Sequence, residues 1–146
     1  MNICFICTGN TCRSPLAEGL LRSKELPGVA VRSAGIYAAD GMPISDHSKD
    51  IMENNGFPYT PVSRQFSRAD AEWADLILTM TAGHRETLRR SYADHAAKVF
   101  TLKEYTGQAD HDVQDPFGGS FSLYESTFGE LAEQIDLLAS RLLGEQ

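Results

Sequence analysis

The chain has 146 residues, and 13 Lys and Arg against 20 Asp and Glu give it a formal net charge of −7. This length suits one compact domain, and the 42% apolar and 23% charged content is ordinary for a globular protein. The negative charge argues against a general binder of nucleic acid or anionic membrane, and no apolar run approaches the roughly 18 residues of a membrane span. We therefore expect one domain over residues 1–146, without a nucleic-acid or membrane partner.

The N-terminus and the cysteines bear on the compartment. Met1 and Asn2 lead directly into an apolar run, without the basic start or the cleavage site of a secretory leader. The three cysteines, an odd number placed close together, do not resemble a secreted disulfide framework. We expect a reduced, cytoplasmic chain.

Strand-like and helix-like segments alternate along the sequence. Apolar β-compatible runs predict strands at residues 2–7, 29–36, 75–80 and 98–102. Helices are predicted from Ser14, as N-cap, with Pro15 at the first helical position, and then over residues 45–55, 67–73, 81–92 and 121–143. Residues 106–120 lack any period and form a long loop of the kind that is usually functional or disordered. The alternation predicts an α/β fold with a parallel sheet and helices on both faces.

The segment that joins the first strand to the first helix has the features of a phosphate-binding loop. It reads CTGNTCRSP over residues 7–15 and lies at the carboxyl edge of the predicted sheet, where ligands bind. Gly9 and Asn10 tolerate positive φ, so successive N–H groups can turn inward around an anion, next to the positive end of the helix. Arg13 adds a planar fork for two phosphate oxygens.

Cys7 stands at the rim of this positive loop. Such surroundings favour the thiolate, which is a nucleophile for phosphoryl transfer, and the hydroxyl of Ser14 can donate to its sulfur. The same residues also fit an ordinary turn, and Cys4 with Cys7 forms a Cys-x-x-Cys pair. Residues three apart on a strand face opposite sides, and no second Cys/His pair completes a metal site, so we expect no metal and a buried apolar role for Cys4.

Residues 6–18, which read ICTGNTCRSPLAE, closely resemble the signature of the low-molecular-weight protein tyrosine phosphatase family. Further family landmarks follow in order: RSAG at 32–35, RQ at 64–65, ADLIL at 74–78 and DPFGG at 115–119. The resemblance implies a four-stranded parallel sheet, a cysteinyl-phosphate intermediate and no cofactor. It assigns catalysis to Cys7 and Arg13, and substrate binding to Thr8, Gly9, Asn10, Thr11, Cys12, Ser14 and Phe117.

Asp115 is the predicted acid–base group. Pro116 disfavours a helical conformation at Asp115, although an Asp-Pro pair in a loop is by itself typical of a plain turn. Phosphoryl transfer through a cysteine requires a proton for the leaving group and later the removal of a proton from water. The resemblance assigns both steps to Asp115.

The chain departs from the family pattern at one supporting position. Many members have a His three residues before the Arg-Gln pair, where this chain has Pro61, which puts part of the support of Asn10 in question. The resemblance leaves Ser33 as the expected partner of Asn10. The four histidines share no metal-ligand spacing, and we expect none of them in the site: His47, His84, His95 and His111.

The combination of Thr11 with DPFGGS at residues 115–120 and TLKEY at residues 101–105 looks like the protein-arginine phosphatases of Gram-positive bacteria. Tyrosine-directed members usually carry a larger apolar residue in place of Thr11 and a Tyr in place of Phe117. A threonine hydroxyl can accept from a phosphoguanidinium or orient the attacking water, and Asp115 can pair with the same group. We expect phosphoarginine proteins as substrates and a protein-arginine kinase as the opposing enzyme, with phosphotyrosine as the alternative.

Two other functions are weighed against these. A thioredoxin-coupled arsenate reductase of the same family needs further cysteines near the C-terminus, and none follows Cys12. A phosphate-binding or redox-sensing module without turnover remains a different class of function, although the complete set of Cys7, Arg13 and Asp115 argues against it. We expect the protein to be a monomer.

Overall fold

The computed structural model describes residues 1–144, so the last two residues of the domain expected over 1–146 lie outside the described part. Four parallel strands form one sheet in the order β2-β1-β3-β4. The strands are β1 Asn2–Cys7, β2 Ala30–Gly35, β3 Leu76–Thr79 and β4 Val99–Thr101. The helices are α1 Arg13–Ser23, α2 Asp46–Asn54, α3 Arg68–Trp73, α4 Ala82–Ser91, α5 Leu102–Tyr105 and α6 Phe121–Gly144, with a 3₁₀ helix at Ala93–Lys98.

Strand β1 lies inside the sheet, with a parallel strand paired to each of its edges. Phe5 pairs in register with Ser33 of β2 on one side and with Leu78 of β3 on the other. Residues 3–7 are all buried, which is why the strand reads as a continuous apolar run rather than an alternating one. Strand β1 ends at Cys7, so the candidate nucleophile lies at the carboxyl edge of the sheet, between the ends of β2 and β3.

The helices divide between the two faces of the sheet. Apolar residues of α1, α2 and α6 pack against one face, where Phe5 and Leu78 lie. Those of α3 and α4 pack against the other face, where Cys4 and Ile77 lie. Cys4 is fully buried, and burial raises the pKa of its thiol, so it is packed as a small apolar residue. The predicted α/β architecture is confirmed.

The structure corrects two details of the predicted elements. Helix α1 begins at Arg13 with Cys12 at the N-cap, two residues earlier than predicted, and the Ser14 hydroxyl is bonded to Cys7 and Asn10 instead of capping the helix. The predicted strand at 98–102 ends at Thr101, where a capping box with Glu104 starts the short helix α5. Within residues 1–144, no helix has both the length and the apolar character needed to cross a membrane.

Candidate active site

The loop between β1 and α1 holds Cys7 and Ser14 together. Cys7 is the last residue of β1 and Ser14 lies in the first turn of α1, and both side chains are buried. The Ser14 Oγ is 2.8 Å from the Cys7 Sγ. The carbonyl oxygens of Cys7 and Thr8 accept from backbone N–H groups just beyond β2, so the first residues of the loop are fixed by main-chain bonds.

Asn10 shapes the loop from inside. It is 1% exposed and has a φ of 56°, a left-handed conformation that asparagine tolerates better than most residues. Its Nδ2 donates to Ser14 Oγ at 2.8 Å and to Ser33 Oγ at 3.0 Å, while its Oδ1 accepts from the backbone N–H of Arg64 at 2.9 Å. Three fixed partners thus hold the side chain, so the amide stabilises the turn of the loop.

The carboxylate of Glu18 fixes the direction of these hydrogen bonds. Ser33 Oγ donates to Glu18 Oε1 at 2.6 Å, and Thr60 Oγ1 donates to Glu18 Oε2 at 2.6 Å. Because the proton of Ser33 goes to a carboxylate, Ser33 accepts from Asn10, and Ser14 does the same with the other amide proton. The proton of Ser14 is therefore free to point to the Cys7 sulfur. The predicted partner Ser33 is in place, and Asn10 is held although Pro61 replaces the family His.

Gly35 is required for the close approach of β2 to the loop. A Cβ at this position would lie 2.5 Å from the carbonyl oxygen of Thr8 and 3.0 Å from the backbone nitrogen of Asn10. Any side chain here would therefore push the loop out of position. Gly9, in contrast, lines the pocket without a positive φ. Among residues 7–14, Asn10 alone has the left-handed conformation.

Arg13 and Asp115 approach each other over the loop. Arg13 is 3% exposed, its NH1 donates to the carbonyl of Val113 at 3.0 Å, and its NH2 is 3.6 Å from Asp115 Oδ2. Val113 is tied in turn to Met80 by a backbone bond of 2.8 Å. The long loop after α5 is therefore fastened to the sheet edge, and the half-exposed carboxyl of Asp115 faces the phosphate loop.

The Asp115 side chain also defines the conformation of its own turn. Its Oδ1 accepts from the backbone N–H of Phe117 at 3.0 Å, and the Phe117 side chain stays 78% exposed. A cavity of about 210 Å³ opens between the two loops. Its walls are formed by Cys7, Thr8, Gly9, Thr11, Cys12, Arg13, Asp115 and Phe117.

Cys12 lies at the floor of the pocket beside the long C-terminal helix. Its Sγ is 3.3 Å from the hydroxyl of Tyr124 and 3.8 Å from Thr11 Oγ1, and it is buried. Burial, together with the contact with Cys12, raises the pKa of Tyr124 to about 12, so the phenol keeps its proton and can donate it to the sulfur. All three cysteines are free thiols.

One histidine, His84, is bonded to the phosphate loop from behind, a contact that the sequence did not predict. This residue is 6% exposed in the first turn of α4, and its Nε2 lies 2.9 Å from Thr8 Oγ1. Burial, with the nearby charge of Arg13, lowers the pKa of His84 to about 4. The sequence signal for this position is a helix start directly after the third strand, at the carboxyl edge of the sheet.

The structure thus brings the predicted site residues to one place: those of the phosphate loop, Asp115 and Phe117 line one pocket, while Asn10, Ser14 and Ser33 lie behind it. A buried cysteine, an arginine and a facing carboxyl around an anion-binding loop are the groups that a cysteine-dependent phosphatase needs. The comparisons with known proteins agree with this class.

Residues 2–146 match the family model of the low molecular weight phosphotyrosine protein phosphatases. A protein-arginine-phosphatase of Geobacillus stearothermophilus is 42% identical over 99% of this chain and 97% of its own length. The solved structure of the arginine phosphatase from that organism superposes with a TM-score of 0.96, covering 99% of this chain and 94% of the other. A low molecular weight protein-tyrosine-phosphatase of Staphylococcus haemolyticus is 42% identical over 90% of this chain and 92% of its own. The chain belongs to the low molecular weight phosphotyrosine protein phosphatase family.

Proposed function

We propose that this protein hydrolyses phosphoarginine on proteins through a cysteinyl-phosphate intermediate. The observation that carries the proposal is the single pocket in which Thr11 and Asp115 stand on the walls above Cys7 and Arg13. The similarity to a protein-arginine-phosphatase over almost the whole chain supports it. On this account the protein is a cytoplasmic monomer, and it removes the phosphate that a protein-arginine kinase adds.

In the first step the Cys7 thiolate attacks the phosphorus atom, and the bond from phosphorus to the guanidine nitrogen breaks. Arg13 and the N–H groups of the loop hold the phosphoryl oxygens, where charge develops in the transition state. Asp115 gives its proton to the departing nitrogen, so arginine leaves as a stable guanidinium. The products of this step are the dephosphorylated arginine side chain of the substrate protein and a phosphocysteine at Cys7.

In the second step a water molecule attacks the phosphocysteine. The Asp115 carboxylate takes the proton of this water, the bond from phosphorus to sulfur breaks, and inorganic phosphate forms. The Cys7 sulfur leaves as a thiolate, which accepts a hydrogen bond from the hydroxyl of Ser14, whose Oγ lies 2.8 Å away. One carboxyl therefore serves as acid and then as base, and the enzyme returns to its starting state.

The walls of the pocket favour a planar polar leaving group. Thr11 is half-buried there and presents a hydroxyl where a larger apolar residue would suit an aromatic ring. A phosphoguanidinium offers several N–H donors to this hydroxyl and to Asp115, whereas an aryl ester offers none. The exposed ring of Phe117 forms an apolar wall for either substrate.

Phosphotyrosine is the second candidate substrate, and the Staphylococcus haemolyticus relative named as a protein-tyrosine-phosphatase favours it. Peptides of one sequence that carry either phosphoarginine or phosphotyrosine separate the two when kcat/KM is measured side by side. A higher kcat/KM on the phosphoarginine peptide supports the proposal, and a higher value on phosphotyrosine replaces it with the second candidate. Turnover of neither peptide, with binding of inorganic phosphate retained, would indicate a module without catalysis.

A further inference from the structure

The His84 side chain makes a contact with the phosphate loop that fold stability does not explain. The ring is 6% exposed, and its Nδ1 has no hydrogen-bond partner among residues 1–144. A buried polar atom without a partner costs stability relative to an apolar side chain of similar size. The one hydrogen bond of the ring, 2.9 Å from its Nε2, goes to Thr8 Oγ1.

The position of His84 is itself well defined. Its backbone N–H donates to Thr81 Oγ1 at 3.1 Å, which caps the start of α4. Burial and the charge of Arg13 lower the pKa of the ring to about 4, against the weaker opposing charges of Asp112 and Asp115, so the ring is neutral at neutral pH. A neutral ring on a fixed helix turn therefore holds the Thr8 hydroxyl in one orientation.

Thr8 lines the pocket together with Thr11, Asp115 and Phe117. A hydroxyl has one proton and two lone pairs, and the bond to His84 uses either the proton or one lone pair, depending on the tautomer. At least one lone pair of Thr8 Oγ1 is left in both cases. Thr8 thus brings a hydrogen-bond acceptor, held by the bond to His84, to the lining of the pocket.

A guanidinium and an aromatic ring differ in their response to such an acceptor. The guanidinium nitrogens carry N–H donors in the plane of the group, so one of them can donate to Thr8 Oγ1. An aryl leaving group has no donor and would cover the hydroxyl without a partner. A site that hydrogen-bonds its substrate discriminates strongly against an analogue that lacks the group.

We propose that Thr8 is a second residue that selects a phosphoguanidinium over an aryl phosphate, and that His84 is the positioning residue that orients its hydroxyl. This inference rests on the proposed function, because it concerns the leaving group of the same reaction. It adds a recognition contact on the wall next to Cys7, separate from Thr11.

The test compares kcat/KM for a phosphoarginine peptide with kcat/KM for an aryl phosphate in a set of variants. Thr8→Val keeps the shape of the side chain and should lower the ratio of the two by about fivefold to a hundredfold. His84→Leu should lower it by several-fold, and His84→Gln, whose amide can still bond to Thr8, should restore most of it. The double variant Thr8→Val with His84→Leu should be no lower than Thr8→Val alone, because the two residues act as one unit.

Thermal unfolding distinguishes positioning from a structural role. His84→Leu should not lower Tm at neutral pH, since it replaces a buried ring with an unpaired nitrogen. His95→Leu serves as the matched control and should leave the ratio unchanged, because the His95 ring lies 3.6 Å from Asp94 instead of bonding to the phosphate loop.

The outcomes separate this inference from the proposed function. A wild-type enzyme that cleaves the aryl phosphate but not phosphoarginine overturns both. An enzyme active on phosphoarginine whose ratio is unchanged in Thr8→Val, or whose double variant multiplies the two single effects, overturns the selecting pair alone. A lowered Tm in His84→Leu with equal losses on both substrates would assign His84 a structural role.

Discussion

The Ser14 hydroxyl lies 2.8 Å from the Cys7 sulfur, and the amide of Asn10, which donates to the same hydroxyl at 2.8 Å, directs its proton to that sulfur. The donor direction along this chain of hydrogen bonds is set by the buried carboxylate of Glu18, to which Ser33 donates. Four side chains from the loop, α1 and β2 therefore combine to stabilise one thiolate at the end of β1. A sulfur that accepts such a hydrogen bond is both the nucleophile of the first step and the leaving group of the second.

The first prediction concerns this sulfur. Cys7→Ser should abolish turnover but keep the binding of phosphate or vanadate, because Arg13 and the loop N–H groups remain in place. Isothermal titration with the anion and a steady-state assay measure the two properties. Arg13→Lys should lose both, since a point charge does not replace the planar fork. Substantial hydrolysis by Cys7→Ser would contradict the covalent mechanism.

The second prediction concerns the acid–base step. Asp115→Asn cannot transfer a proton, and we expect kcat to fall by about a hundredfold to ten-thousandfold on phosphoarginine. The loss should be smaller for an aryl phosphate with a very acidic phenol, because that leaving group departs without protonation. A series of aryl phosphates of graded phenol acidity measures the difference. An equal loss across the series would show that Asp115 does not protonate the leaving group. Asp112→Asn, outside the pocket-lining residues, is the matched control.

The fold was predictable to the extent that local sequence determines it. Strand β1 has the predicted bounds because the residues from Ile3 onward are buried on both faces, which leaves a continuous apolar run. Helix α5 was missed because Thr101 and Glu104 form a capping box in a stretch whose apolar residues also suit a strand. Local patterns of this kind compete over only a few residues, and packing decides between them.

The candidate site was predictable where one short segment carries the chemistry. Residues 7–14 and Asp115 were found from loop position and family resemblance, and the structure places them around one pocket, with Asn10 and Ser14 behind its lining. Gly35, Glu18 and His84 were not found, because their roles depend on approach distances and hydrogen bonds between elements far apart in sequence. A residue that acts through such contacts leaves no local pattern.

The third prediction concerns oxidation. Peroxide should convert the Cys7 thiolate to a sulfenic acid, and the Cys12 thiol should displace water from it to form a disulfide. Cys12 is positioned for this role by Tyr124, whose hydroxyl is 3.3 Å from its sulfur. After a thiol reductant is added, the wild type should regain its activity, whereas Cys12→Ser should recover little of its own starting activity. Equal fractional recovery in the two proteins would leave Cys12 with a packing role.

The fourth prediction concerns the pH dependence of stability. The pKa of His84 is about 4 in the folded protein and 6.5 without its surroundings, so the unfolded chain binds more protons between these values. The contribution to the free energy of unfolding is therefore present above pH 6.5 and is lost as the pH falls towards 4, by at most about 3 kcal/mol.

Denaturant unfolding at a series of pH values checks this expectation. His84→Leu should flatten the decline in unfolding free energy between pH 6.5 and pH 4 relative to the wild type. His95→Leu, measured in parallel, is the control for the loss of a histidine as such. Identical pH profiles of the wild type and His84→Leu would show that His84 is not kept neutral by the fold.

The account is tested most directly by paired kcat/KM values on phosphoarginine and phosphotyrosine peptides for the wild type and Thr11→Ile. Replacing the hydroxyl of Thr11 removes a polar contact and adds an apolar branch, and losing a buried hydrogen-bond partner costs about 1–3 kcal/mol. We expect kcat/KM on phosphoarginine to fall about fivefold to over a hundredfold, while phosphotyrosine loses far less or gains. The preference should shift towards phosphotyrosine while Cys7, Arg13 and Asp115 are unchanged. An unchanged ratio of the two substrates would contradict the central claim that this pocket is built for a phosphoguanidinium.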